Sequence, residues 1–433
     1  MKREDEDEKE TKPSELLDSL PIELKMDILT RLPAKSLMKF RYVSKMWSSF
    51  IRSQELINSF SSKSSTQTRF ILALSNDGNF SEPEGNLSFY FSFSDDAEES
   101  SCLVPNLEMA MPVISNHISG SCTSVHGILA VIHSFQLILC NPSTEQVIKL
   151  TPGYAGFVGY DPINDQHKVL SLLNQFSDDP VEHKVLTLGV GGGWRRIQGL
   201  NQFYTAVSMG VCINGFVFYG AYSPTPPSNP GIVCFDVRFE RLSYIKAPEI
   251  LVHYGNASIF IEYKGKLASI VRDPFGYFNE FDLWILEDVE RHNWSKQTCV
   301  FPFSVWDSLG VMKMCIPGTN KADEIIMAPK SLSHKVQPFY IFYYNVETRN
   351  IRRVRLLGIG DNEEFRTCYE LNYRSNVNIA THHFESIAFL QGSSYHMRES
   401  KTLLVFFYIQ QTSYFCYSMT FCLYCMCFVL FIS

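Results

Sequence analysis

One turn signature returns along this chain at intervals of about fifty residues, and that spacing constrains the fold more than any other feature. Cys140-Asn141-Pro-Ser-Thr-Glu-Gln-Val147 is followed by Leu150, and Phe235-Asp236 leads to Leu242 and Ile245 at the same offsets. Tyr344-Asn345 leads likewise to Ile351 and Val354, and Glu287-Asp288 to Trp294. A degenerate copy runs from Thr187 through a glycine run to Trp194 and Ile197. The anchors at 140, 187, 235, 287 and 344 are separated by 47, 48, 52 and 57 residues. Around them, from Arg69 to about Arg398, short apolar runs alternate with Gly, Pro, Asn and Asp turns, which is the pattern of many short strands. A four-stranded sheet of this length cannot bury both of its faces alone, so repeated sheets must stack on one another. The period therefore predicts a β-propeller. One interval before 140 lies Leu87-Ser-Phe-Tyr-Phe-Ser-Phe93, which alternates as a strand does and brings the expected number of blades to six. The competing arrangement is a twisted β-sandwich with evenly spaced hairpins. Aromatic residues, 14% of the 433 positions, favour strands in either case.

Composition removes several classes of function. The net charge of −7 leaves no basic footprint for nucleic acid. Twelve cysteines in a chain whose first residues are charged, with no apolar leader, read as reduced core cysteines and not as a disulfide framework. No cofactor or metal site is expected, and the compartment expected is cytoplasm, nucleus or both. Residues 1–13 read as an acidic disordered tail, and 61–68 as a Ser-rich flexible linker. The last 32 residues, Thr402 to Ser433, carry no charge. They are long enough to cross a bilayer, so a membrane contact is expected only through 402–433. Gln410-Gln-Thr-Ser413 interrupts that run, and a displaced reading frame or a packed terminal element are the other readings of this uncharged tail, 399–433.

Between the acidic tail and the strands, 14–60 form a helical domain. Pro21 stands at a first helical position, and on a helical wheel Ile22, Leu24, Met26, Ile28, Leu29 and Leu32 cover an arc of about 200°. Pro33 closes that helix, after which Leu37, Phe40, Val43, Trp47 and Phe50 recur at three- and four-residue spacing. A single core needs a stripe little wider than ~100°, so the excess predicts a second apolar surface turned to a partner.

These residues carry a family resemblance. Leu20-Pro-Ile-Glu-Leu-Lys-Met-Asp-Ile-Leu-Thr-Arg-Leu-Pro-Ala-Lys-Ser-Leu-Met-Lys-Phe-Arg-Tyr-Val-Ser-Lys-Met-Trp47 resembles the plant form of the F-box. Val125-His-Gly-Ile-Leu129, Cys140-Asn-Pro-Ser-Thr144, Gly159-Tyr-Asp-Pro-Ile-Asn-Asp165 and Trp194-Arg195 resemble, in order, the F-box-associated domain over 69–398. The resemblance implies the receptor subunit of a Skp–cullin–F-box ubiquitin ligase, with the F-box on the Skp adaptor, a cullin scaffold beyond it, and the β domain on a protein substrate. By the same resemblance Leu20, Pro21, Ile22, Ile28, Leu29, Leu32, Pro33 and Leu37 contact the adaptor, and Phe40, Val43 and Trp47 divide between adaptor and core. Substrate contacts are expected in loops of one propeller face, with Tyr222, Tyr254, Tyr277 and Phe278 as candidates.

A propeller can also carry an enzyme or a carbohydrate-binding module, and a defective or membrane-tethered variant is a further alternative. No P-loop, H-E-x-x-H or G-x-S-x-G motif occurs. Gly189-Val-Gly-Gly-Gly193 reads as a hairpin turn between strands. His382 and His383 are adjacent in a strand and face opposite ways, which does not suit one metal ion. Asp161, Asp165, Asp178 and Asp179 read as solvated turn residues. A non-catalytic receptor is the expectation.

Overall fold

The computed structural model describes residues 21–75, 87–94, 102–112, 121–133, 136–150, 155–173, 180–189, 192–200, 202–223, 231–252, 259–272, 280–301, 314–373 and 375–390. Among the described residues four short helices precede the strands: α1 (Ile22–Leu29), α2 (Ala34–Phe40), α3 (Lys45–Ile51) and α4 (Gln54–Ser64). Strands follow in six sheets, which form a six-bladed propeller and not a sandwich. In the simplest, blade 2, Ser121–Val125, Ile128–His133, Gln136–Asn141 and Gln146–Leu150 pair in sequence order.

The ring closes through blade 1. Its first strand is the last among the described residues, Asn376–His383, which pairs antiparallel with Arg69–Ser75 in the register Leu72↔Ile379. Leu87–Ser94 and Asn106–Pro112 complete that sheet. A second fastening joins blades 1 and 6: Cys102–Leu103 leaves blade 1 and pairs in parallel with Ile351–Leu356, the outer strand of blade 6.

Each seam between neighbouring blades holds its own apolar cluster. In Arg69–Ser75, Phe70, Leu72 and Leu74 face blade 6 while Ile71 and Ala73 face blade 2. Because successive side chains point to opposite faces and both faces are covered, the strand reads as a continuous apolar run and not as an alternating one.

The repeating signature is explained by turn chemistry. Every anchor lies at the end of a third strand, and at all but Thr187 the next residue is an Asn or Asp that closes the turn to the fourth. Asp236 Oδ1 accepts from the backbone N–H groups of Arg238 and Phe239, Asp288 Oδ1 from Glu290 and Arg291, and Asn345 Oδ1 from Glu347 and Thr348. Four residues after each Asn or Asp the backbone turns left-handed, at Glu145, Glu240, His292 and Arg349, with φ between 53 and 58°. First and second strands are joined by two-residue turns, His126-Gly127, Asn214-Gly215 and Lys264-Gly265, in which both residues have positive φ.

Both kinds of tight turn fall on one face of the ring. The connections from second to third strand, and from each blade to the next, open on the opposite face. That face carries the longer loops.

The fold departs from the sequence expectations at four places. The run 61–68 is not a linker through its length, because α4 continues to Ser64, capped by Ser53 Oγ and held by buried Leu56, Ile57 and Phe60. Among the described residues the last strand of the β domain, expected to reach 398, ends at His383, and 384–390 pack on both the helices and blade 2. Cys102 and Cys368 are exposed, whereas Cys122, Cys140, Cys234 and Cys299 are buried, with burial pushing the Cys122 thiol up to about 12. Asp161 is fully buried, not solvated, and accepts from Ile163 N, Asn164 N and Asn164 Nδ2. Asp178, Asp179 and residues 399–433 lie outside the described residues.

Candidate functional site

The helical domain is built around Leu29, Ala34, Leu37, Trp47, Ile51, Leu56, Ile57 and Phe60, all buried. Its helices start in two ways. Ser44 Oγ accepts from Trp47 N at 3.2 Å and caps α3. The residues before α1 and α2 are Pro21 and Pro33, which offer no capping side chain. For α2 the missing acceptor comes from the far end of the chain: Ala34 N donates to Glu385 Oε2 at 2.8 Å, while Glu385 Oε1 pairs with Arg69 at 2.8 Å.

Glu385 belongs to a strap, residues 384–390, laid across the tight-turn face. Asn141 Nδ2 donates to Ser386 O and Ala388 O, both at 2.9 Å, and Gln146 Oε1 accepts from Leu390 N at 2.8 Å. A Cβ at Gly127 would meet Ser386 Cβ at 2.8 Å, so this turn position has no room for a side chain under the strap. Ile387 inserts fully into the helical core, and Arg41 lies 4.4 Å over the Phe389 ring. The strap thus joins helices to propeller on the tight-turn face.

This join has a measurable consequence. Glu385→Ala removes a helix cap and a half-buried ion pair together, an expected loss of about 2 kcal/mol. Amide exchange at Ala34 should accelerate more than exchange at core strand amides such as Leu170. Unchanged exchange at Ala34 would refute the clamp.

The residues expected to meet an adaptor do not form one surface. Leu29, Leu37 and Trp47 are core. Ile28, Leu32 and Phe40 are half-buried, while Pro21, Ile22, Pro33 and Val43 are exposed. Leu20 lies outside the described residues. Beside Ile22 at 50% exposed, Leu24 at 51% and Val43 at 60%, the exposed apolar set includes two residues that the sequence pattern did not single out, Tyr42 at 89% and Met46 at 44%. Only the turn between α2 and α3, which throws Tyr42 and Val43 outward, could have revealed Tyr42, and that geometry is not written in helical periodicity.

Of the substrate candidates, Tyr222 ends the second strand of blade 4 on the long-loop face and is half-buried. Tyr254, Tyr277 and Phe278 lie outside the described residues. His382 and His383 reach different blades: His383 Nδ1 is 3.1 Å from Ser124 Oγ, and His382 Nε2 is 3.1 Å from Thr319 Oγ1. Among the described residues no group of His, Cys, Asp and Glu is placed to hold a metal ion.

Comparison with known proteins matches this architecture. The F-box domain model matches residues 17–59, and the F-box associated beta propeller domain model matches 69–382, ending within the closing strand. The chain belongs to the F-box protein family. F-box protein At1g30790 of Arabidopsis thaliana is 48% identical over 394 residues, covering 86% of this chain and 99% of the relative. Putative F-box protein At1g32660 of the same plant is 52% identical over 374 residues, covering 84% and 83%. F-box protein DOR, also from Arabidopsis thaliana, is 34% identical over 372 residues, covering 80% and 90%. An F-box joined to this propeller supports a substrate-receptor role. No helix among the described residues of this F-box protein is long and apolar enough to cross a membrane.

Proposed function

We propose that this F-box protein is the substrate-recognition subunit of a Skp–cullin–F-box ubiquitin ligase. The observation that carries this reading is the exposed apolar group Ile22, Leu24, Tyr42, Val43 and Met46 on a helical domain whose own core is already complete. Apolar residues grouped on so small a unit mark an interaction surface. The Skp adaptor docks there, through Pro21, Ile22 and Val43, with half-buried Ile28, Leu32 and Phe40 beneath. Leu29, Leu37 and Trp47 support that surface from inside. The substrate binds on the opposite, long-loop face of the ring.

The chemistry is positioning. A receptor that holds substrate near a ubiquitin-charged enzyme raises the effective concentration of its lysines, and needs no bond-making group of its own. The adaptor step is tested by the Ile22→Asp/Val43→Asp double variant in co-purification with a plant Skp adaptor. Charges set into an apolar interface centre should weaken binding by roughly 3 kcal/mol, about a hundredfold, with the melting temperature nearly unchanged because both sites are exposed. Undiminished capture by the double variant would remove the reading's main support.

A further inference from the structure

Two clefts open side by side on the long-loop face of blade 6, and Arg366 forms wall in both. The larger, about 700 Å³, is lined by His334, Lys335, Glu363, Thr367, Glu370 and Tyr373 among others, and the smaller, about 150 Å³, includes Tyr340 and Arg353. The larger is framed by the loop between the second and third strands and by α5 (Glu363–Cys368), which lies in the connection to the closing strand.

Arg366 is only 8% exposed. Its Nε and Nη2 donate to Gly360 O at 3.2 Å, and Nη2 donates also to Lys335 O at 3.0 Å. Those acceptors are neutral carbonyls. Among the described residues no carboxylate pairs with Arg366, and its Nη1 makes no hydrogen bond. Three other buried or half-buried cations of the ring are each paired with a carboxylate: Lys168 with Glu240, Arg352 with Glu324 and Arg355 with Asp361. A buried guanidinium without a counter-charge is costly, and a carboxylate accepting from the remaining Nη1 supplies that charge.

The surroundings narrow the ligand. Glu363 and Glu370 stand three residues before and four after Arg366, on the same side of the helical turn and its extension, so an acidic run would be repelled. His334 stacks on Tyr373 with centroids 3.8 Å apart, which supplies a flat wall for a peptide.

We propose that this cleft receives a single carboxylate of a substrate polypeptide on Arg366, in a neutral or basic sequence context. The carboxylate is a C-terminus or an isolated Asp or Glu side chain. This deepens the receptor reading above and rests on it.

The test uses the full-length chain co-purified with a plant Skp adaptor and three pools of random decapeptides. The first has a free C-terminus and no acidic residue, the second is amidated with one fixed Glu, and the third is amidated without acidic residues. One or both carboxylate pools should be retained over the third by roughly tenfold or more, the value of a charge-assisted guanidinium contact. Preference for the first pool identifies a terminal carboxylate, and for the second a side chain. Arg366→Gln should abolish the preference. Thr367→Trp should abolish it too, by filling the cleft while leaving the Arg366 hydrogen bonds to both loops in place. Equal retention of all three pools, or a preference that survives Thr367→Trp in folded protein, overturns the proposal. Adaptor capture without any carboxylate preference sinks this site alone. A carboxylate preference in a chain that fails to capture the adaptor sinks the ligase reading and leaves the site standing.

Discussion

A chain ending at Ser375 will not form a folded propeller. It lacks Asn376–His383, the strand that begins blade 1 and pairs along the whole of Arg69–Ser75. Val377, Ile379 and Ala380 of that strand are buried, the first two in the seam with blade 6 and the third in the seam with blade 2. Two of the ring's seams are therefore opened at once. Losing burial of two large apolar side chains costs about 3–6 kcal/mol, before the strand's backbone pairing is counted. Domains are stable by only ~5–15 kcal/mol, so little or nothing remains. Size-exclusion chromatography and thermal melting of the truncated chain decide the matter. A monomeric product with a cooperative melt like that of the full chain would show that blade 1 does not need its last strand.

The second large effect is acid destabilisation. His126, His167 and His183 are held at about 4 and His383 at about 3, in each case first by burial, with His167 adding to the effect on His126 and Arg69 to that on His383. His167 Nε2 lies 3.0 Å from Val125 O, which can only accept, so the neutral ring carries its proton there. His183 Nε2 is 2.6 Å from the Tyr204 hydroxyl, itself 2.8 Å from that of Tyr219. All four rings stay neutral in the fold and become charged in the unfolded chain near pH 6.5. Between pH 6.5 and about 4 the unfolded state thus binds more protons, and stability falls as pH falls. At ~1.4 kcal/mol for each unit of pKa difference, the group removes on the order of 10 kcal/mol across that window. Below it the native rings protonate too, and the loss levels off. Urea unfolding at pH 7.5, 6.0 and 4.5 should show the midpoint collapsing, most steeply below 6.5. A midpoint that holds steady from 6.5 to 4.5 would mean that these rings are not buried as neutral groups.

The parts of this molecule that were legible in its sequence are those fixed by local chemistry. An Asn or Asp that accepts from the amides after it, with a left-handed residue to follow, recurs where the third strand turns into the fourth in blades 2, 4, 5 and 6. The period followed from those residues, and the sixth blade from the alternating run Leu87–Phe93 one interval before them. The F-box was legible because its prolines and apolar positions lie within thirty residues of one another. What the sequence hid is non-local. Nothing near Ala34 announces that its amide finds a carboxylate 351 residues away, and Ile387 looks like part of any short strand. Cys102–Leu103 is too short to register as a strand, because its partner Ile351–Leu356 supplies the order. The wheel over Ile22–Leu32 measured how much apolar surface exists but not which part faces inward. Leu29 and Leu37 therefore sat beside Ile22 and Pro33 in one expected surface, and packing separates them. Ser61–Ser64 failed as a linker for the same reason, since an anchored helix carries weak formers with it.

The strap sets an order on the making of this protein. The helices leave the ribosome first, but the core they enclose lacks Ile387 until nearly four hundred residues have been joined. By then Asn376–His383 has also emerged, and the ring can shut. A half-made chain thus exposes neither a finished docking domain nor a finished ring. Both become competent at the same moment of translation, and fragments released early carry an F-box with a hole in its centre.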